Sequence, residues 1–204
     1  MTGRWPVRPW PAWAWAVLAV LCVALAVGLR TLLTARMSLH MLVQIPLLVL
    51  VGVFAQQAWH AVRAGRPQRD THGAGWSINE YGLPGLLLVS LVAAGWMIPK
   101  ALDDALLGGA VTWFKYLGLP VCGWVLQASV RRANIIIKVF FLGNFCWMSA
   151  IVGMVYLDQP VRLCNAYLQD DQEWSGRGLI ALAIAWPLAW LLTEIRPIWR
   201  FLHR

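Results

Sequence analysis

Long apolar runs, broken by short stretches rich in arginine, aspartate, glycine and proline, set the pattern of this chain. Taking about 20 apolar residues per bilayer crossing, the pattern predicts helices over residues 12–29, 38–59, 82–99, 109–130, 134–157 and 178–195. The start, MTGRWPVRPWPAWAWAVLAV, has the arginine-then-apolar look of a signal peptide. Its apolar run continues to Leu29 without a small-residue cleavage site before the next charge, so we read it as an uncleaved first span. No internal repeat and no low-complexity tract interrupts the series. The expected fold is an all-α polytopic membrane helix bundle of about six transmembrane helices, forming one domain over residues 1–204.

Charge supplies the orientation. Arg4 and Arg8, then Arg63, Arg66 and Arg69, then Arg131, Arg132 and Lys138, then Arg196, Arg200 and Arg204 all fall on one side of a six-span chain. The positive-inside rule makes that side cytoplasmic, with both termini on it. The other side receives Asp103, Asp104, Asp158, Asp170, Asp171 and Glu173, with Arg30, Arg36, Lys100, Arg162 and Arg177 as a minority of opposite sign. The second loop, AGRPQRDTHGAGWSINEYGLP, is the longest and richest in turn-formers, and we expect it to be exposed and mobile.

Composition fits this picture. Of the 204 residues 60% are hydrophobic and only 13% charged, with a mean hydropathy of +0.62, too apolar for a soluble domain of this length. The 14 tryptophans suit interfacial belts, with Trp5, Trp10, Trp13, Trp59, Trp76, Trp174 and Trp199 at the expected levels. A net charge of +8 would suggest nucleic acid in a soluble protein, but here the arginines sit in loops as topology determinants, and no nucleic-acid partner is expected. Of the cysteines, Cys22, Cys122 and Cys146 lie in apolar runs, Cys164 lies in a loop, and none has metal-motif spacing.

Candidate chemistry centres on residues 37–52, MSLHMLVQIPLLVLVG. At 100° per residue Met37, His40, Met41 and Gln44 fall at about 0°, −60°, +40° and −20°, one narrow stripe. Polar groups in a bilayer face the protein interior or a watery recess, and an imidazole flanked by thioethers is a donor set for copper(I). Pro46 removes the N–H that would bond the Leu42 carbonyl, a local weakness that a neighbouring helix must cover. The plainer alternative is a lone histidine that merely hydrogen-bonds near a helix end. At the same outer level stand Met97, Lys100, Asp103 and Asp104, and residues 158–172 of the last outer loop. Lys100 and Asp104 are spaced to pair across one turn, either as a charged lip or as an ordinary helix-end bridge. Lys115, inside the fourth span, either snorkels outward or pairs with Asp103, Asp104 or Asp158.

In the fifth span Asn144, Trp147, Met148 and Ile151 form a stripe, with Gly143 and Gly153 admitting neighbouring helices. HExxH, GxSxG, P-loop and CxxC motifs are absent, so no enzyme class finds its chemistry here. Haem ligation by paired histidines is not expected, since His60, His72 and His203 lie at the cytoplasmic side or in loops.

Three segments carry a resemblance. SLHMLVQIPLLVLVG resembles the signature helix of the CtaG family of bacterial membrane proteins implicated in assembling haem-copper cytochrome oxidases. MIPKALDDAL resembles a proline-bearing helix exit of that family, and YLQDDQEWSGRGLIALAIAW its late motif, an Asp-Gln pair before a glycine-bearing span. By this resemblance His40 and Met41 correspond to the helix signature, and Asp171 and Gln172 to the late motif. The family's second histidine is replaced by Val43, Gln44 and Ile45, and the chain is short. A copper site would therefore need Met37, Met41 or Cys164. The expectation is a non-enzymatic protein of the bacterial inner membrane that helps insert copper into, or assemble, a respiratory oxidase. Its metal set is His40, Met41, Met37 and Cys164, with Gln44, Asp104, Asp171 and Gln172 as further functional residues. The alternative is a structural subunit or small transporter with no metal role.

Overall fold

The computed structural model describes residues 10–64, 79 and 81–202, with side chains up to residue 192. Expectations for Arg4, Trp5, Arg8, Arg66, Arg69, His72, Trp76, His203, Arg204 and, in the second loop, residues 65–78 and 80 lie outside the described residues, as do the side chains of Arg196, Trp199 and Arg200. Each predicted apolar run is helical. We number the elements α1 (Ala12–Gly28), α2 (Arg30–Leu33), α3 (Met37–Ala64), α4 (Leu83–Trp96) and α5 (Pro99–Leu107). Then come α6 (Ala110–Trp113, Phe114–Gly118 and Leu119–Arg132 in succession), α7 (Ile135–Asp158) and α8 (Gln169–Leu202).

By length and composition α3, α7 and the first part of α8, Gln169–Leu192, are fit to cross a membrane. The α4–α5 pair, bent by 78°, would make a fourth span, and α1 is a shorter apolar helix of 17 residues. The third predicted span thus ends earlier than expected. Pro99 opens α5 and its ring disfavours a helical Ile98, whose backbone is extended at ψ 124°. Helix α8 starts at Gln169 rather than near residue 178. Asp170 and Asp171 occupy its first turn, where the helix dipole favours acids.

Local chemistry fixes several of these ends. Asn134 caps α7 by accepting from the Ile137 N–H at 2.9 Å. Gly82, at φ +77°, precedes α4 against the Ser129 carbonyl, a backbone conformation and a spacing that both exclude a side chain. Asn79 seals the same junction, giving its amide to Ser129 Oγ at 2.8 Å and accepting from Gly85 N at 3.2 Å.

The bundle is built on α3, which packs between α1 and α6, while α7 packs along α8 and α4 against α6. Backbones approach closely where glycines remove side chains. A Cβ on Gly52 would collide with the Pro120 carbonyl, one on Gly123 with that of Val49, and Gly153 and Gly176 face each other between α7 and α8. Gly143 has open space instead, so it admits no neighbour. Of the α7 stripe, Asn144 and Trp147 are exposed, and only Met148 packs on the buried core.

Candidate functional site

Two helices carry the same irregularity at the same place. Residues His40–Gln44 of α3 and Phe114–Gly118 of α6 are π-helical, and each stretch ends two residues before a proline, Pro46 and Pro120. A proline has no N–H for the carbonyl four residues back, here Leu42 and Tyr116, and an i→i+5 register such as Ile45 N–H to the His40 carbonyl absorbs that loss. Each widened turn carries a buried polar side chain, His40 and Gln44 on α3 and Lys115 on α6.

These side chains form a connected chain. His40 is wholly buried, with Nδ1 2.7 Å from Tyr167 Oη and Nε2 2.8 Å from Lys115 Nζ. Tyr167 donates its hydroxyl proton to the Thr34 carbonyl at 3.2 Å. With that proton committed, the arrangement that satisfies every group has the His40 Nδ1–H donating to Tyr167, and Lys115 donating to the lone pair on Nε2. Lys115 is 1% exposed and lies over the Tyr116 ring at 5.1 Å. No carboxylate pairs with it among the described residues. The expected partners are engaged elsewhere or do not reach it. Asp103 accepts the backbone N–H groups of Asn165 and Ala166 at 2.8 and 3.2 Å, and Asp104 pairs with Lys100 at 3.0 Å.

The sulfur donors collect beside this chain. Met37, Met41, Met97 and Cys164 share one buried cluster with Leu102, Tyr156, Tyr167 and Leu179. The loop between α7 and α8 covers it and is tied down from several sides. Tyr156 donates to the Met97 carbonyl at 2.6 Å, and the Cys164 thiol to that of Pro99 at 3.2 Å. Gln172 bridges α8 to the loop, accepting from Leu163 N at 2.8 Å and donating to the Tyr156 carbonyl at 3.1 Å. The start of α3, α5, the end of α7 and the start of α8 therefore meet under residues 159–168.

Of the sequence candidates, His40, Met37, Met41 and Cys164 come together, and Gln172 supports their cover. Gln44 faces a second cluster, donating to the Ala26 carbonyl at 2.9 Å and to Tyr116 Oη at 3.4 Å, with its Oε1 buried and unpartnered. Asp104 stays at the rim with Lys100, and Asp171 is half-buried at the start of α8 near Tyr167. Tyr167 and Asp103 are central and do not belong to that candidate set. A phenol and a carboxylate in polar segments carry no helical period that would single them out.

Electrostatics in the loop favour protonated groups. Burial, with the Asp103 carboxylate alongside, pushes the Cys164 thiol up to about 12, and burial raises the Tyr167 phenol as well, with Cys164, Asp103 and Asp171 adding to it. Cys164 is thus a neutral thiol in the metal-free protein, and a metal that took it as a ligand would have to displace its proton. No three His, Cys, Asp or Glu side chains are grouped to hold a metal among the described residues, so a zinc-type set is lacking. What remains is an imidazole with thioethers. Its Nδ1–H is held by an oxygen, as the second ring nitrogen of metal-bound histidines commonly is. Its Nε2 lone pair is taken by Lys115. No protein-family model, characterised protein or solved structure matches this chain.

Proposed function

We propose that this chain is a non-enzymatic, multi-span protein of a bacterial inner membrane that accepts copper(I) at its outer face and serves the assembly of a respiratory haem-copper oxidase. On this reading α1 and α6 also cross the membrane, giving six spans with both termini cytoplasmic. The observation that carries it is the setting of His40, whose ring is oriented by Tyr167 and Thr34 while Met37, Met41 and Met97 crowd the same end of the bundle. The resemblance of the three segments to the CtaG family adds the oxidase as partner. Thioether donors bind copper(I) reversibly and suit delivery more than storage.

Lys115 gives the site a built-in competitor. Its N–H occupies the lone pair that would bind the cargo, so loading requires the lysine to swing out and unloading lets it return. Cys164 anchors the loop through its hydrogen bond to the Pro99 carbonyl and would serve as a fourth donor only by giving up that proton.

A second reading, a packing subunit of a membrane complex, draws on a specific fact: both His40 nitrogens are already satisfied without any ligand. Competition with a copper(I) chelator separates the two. We expect the Met37→Ala, His40→Ala, Met41→Ala triple variant to bind at least about tenfold more weakly than wild type, the loss of about 1.4 kcal/mol or more, and Lys115→Leu to bind more tightly. Equal affinity of wild type and triple variant would refute copper handling and leave the packing subunit.

A further inference from the structure

A second feature lies on the outside of the bundle, where the start of α3 meets α8. Arg36, Ser38 and Leu42 from one side, and Trp174, Arg177, Gly178 and Ala181 from the other, line an open recess of about 470 Å³. Its composition changes with depth. The rim holds two guanidinium groups, a hydroxyl and an indole, while Leu42 lies one turn beyond Ser38, Gly178 one turn beyond Trp174 and Ala181 one turn beyond Arg177. Gly178 is what makes the floor, since a Cβ there would collide with Leu42 Cδ1. Beyond it the lipid-facing flank continues with the exposed side chains Val43 on α3 and Ile184 and Leu188 on α8.

The rim charges are only partly answered. Arg177 lies over the Trp174 ring at 5.1 Å and reaches Glu173 Oε2 at 3.3 Å, an exposed pair of little strength. Arg36 is exposed and has no side-chain hydrogen bond or ion pair among the described residues. Asp170 falls on the same face of α8 one turn before Trp174, on the water side of the rim. The lining itself therefore presents two cations and no carboxylate, with Glu173 outside it and paired to Arg177. Arginine, with a planar fork of donors, matches a phosphodiester, and tryptophan is at home at headgroup level.

We propose that this recess is a binding site for a membrane glycerophospholipid. Arg36 and Arg177, helped by the Ser38 hydroxyl, hold the phosphodiester, and one acyl chain runs down over Leu42, Gly178 and Ala181. Both walls belong to elements that bear the His40 cluster, because Arg36 and Ser38 flank Met37 and α8 carries Gln172. A bound lipid would brace the outer end of α3 against α8. The site stands on its own observations and does not depend on copper.

The test is lipid retention by native mass spectrometry of the full chain, delipidated in detergent and then offered dioleoyl phosphatidylglycerol. Wild type should retain the lipid, and the Arg36→Gln, Arg177→Gln double variant should retain at least fivefold less. Dioleoylglycerol, which lacks the phosphodiester, should not be retained, and excess inorganic phosphate should not displace the phospholipid. The Gly178→Leu variant, which fills the floor but keeps both arginines, should lose retention too, provided its circular dichroism matches wild type. Equal retention by wild type and the arginine double variant would overturn the proposal. So would retention of dioleoylglycerol at the level of phosphatidylglycerol, or displacement by inorganic phosphate, which would point to a simple anion site.

Discussion

Replacing His40 by leucine should destabilise the protein, and replacing Lys115 by leucine in the same molecule should restore much of the loss. His40 is the shared partner of Lys115 and Tyr167, at 2.8 and 2.7 Å, and all three side chains are buried. His40→Leu keeps the volume close but strands the buried Lys115 amine beside the Tyr116 ring. Stranding a buried polar group costs about 1–3 kcal/mol, and more when it carries charge. Losing the partner of a buried charge costs about 3–5 kcal/mol. We therefore expect His40→Leu to cost about 2–4 kcal/mol, between those two limits. In the double variant nothing is stranded on the α6 side, since a leucine side chain in place of the Lys115 amine suits the apolar setting, and only the Tyr167 hydroxyl keeps a reduced set of partners. It should regain at least about 1 kcal/mol, a coupling within the range found for residues of one network. Reversible unfolding of the purified protein by sodium dodecyl sulfate titration, followed by circular dichroism, measures all four corners of this cycle. If the double variant is no more stable than His40→Leu alone, Lys115 does not depend on the imidazole, and the connected chain is not an energetic unit.

Other consequences are more local. Gly52→Val should push α3 away from α6, because even a Cβ at that position meets the Pro120 carbonyl; the overpacking should cost about 1–3 kcal/mol in the same unfolding assay, and an unchanged stability would contradict the packing described. In a variant retaining Cys164 as its only cysteine, the folded protein at pH 8 should resist maleimide while the unfolded chain, with an ordinary thiol near ~8.5, is labelled. The sign of the linkage follows from the raised thiol. Its contribution to stability is fully present below about pH 8.5 and is lost as pH rises through about 12, so rapid labelling of the folded protein at pH 8 would refute it. Reporter fusions should place the chain near Arg131 in the cytoplasm and near Asp104 and Gln172 outside, and an outside signal at Arg131 would overturn the six-span topology.

How far the sequence could be read depended on what each feature responds to. Helix existence follows from hydrophobic burial and a bilayer's thickness, which a run of apolar residues records directly, so every predicted run is a helix. The ends respond to shorter-range effects. Asp170 and Asp171 read as loop by polarity, yet their charge suits a helix N-terminus, and α8 begins there. Pro99 was visible as a helix exit, but not the 78° bend between α4 and α5. The stripe of Met37, His40, Met41 and Gln44 was legible because one helical period contains it, and all four side chains are buried.

The partner of His40 was not legible, for a reason that goes beyond distance along the chain. Lys115 lies 75 residues away, and a lysine in an apolar helix is ordinarily matched to the nearest carboxylates. Asp103 and Asp104 were the natural choice by level. Yet a carboxylate near water has better uses. Asp103 accepts from two backbone amides of the loop over the site, and Asp104 keeps Lys100 within its own helix. Deeper in the bundle a second charge would need its own desolvation offset, whereas an imidazole offers a lone pair without carrying charge. Lys115 turns to His40 because a neutral acceptor is less costly to bury than an anion, and the π-helical turns ahead of Pro46 and Pro120 bring the two helices to the register at which these side chains meet. Charge counting alone cannot reach that pairing, since it looks for opposite signs where the interior selects for lone pairs.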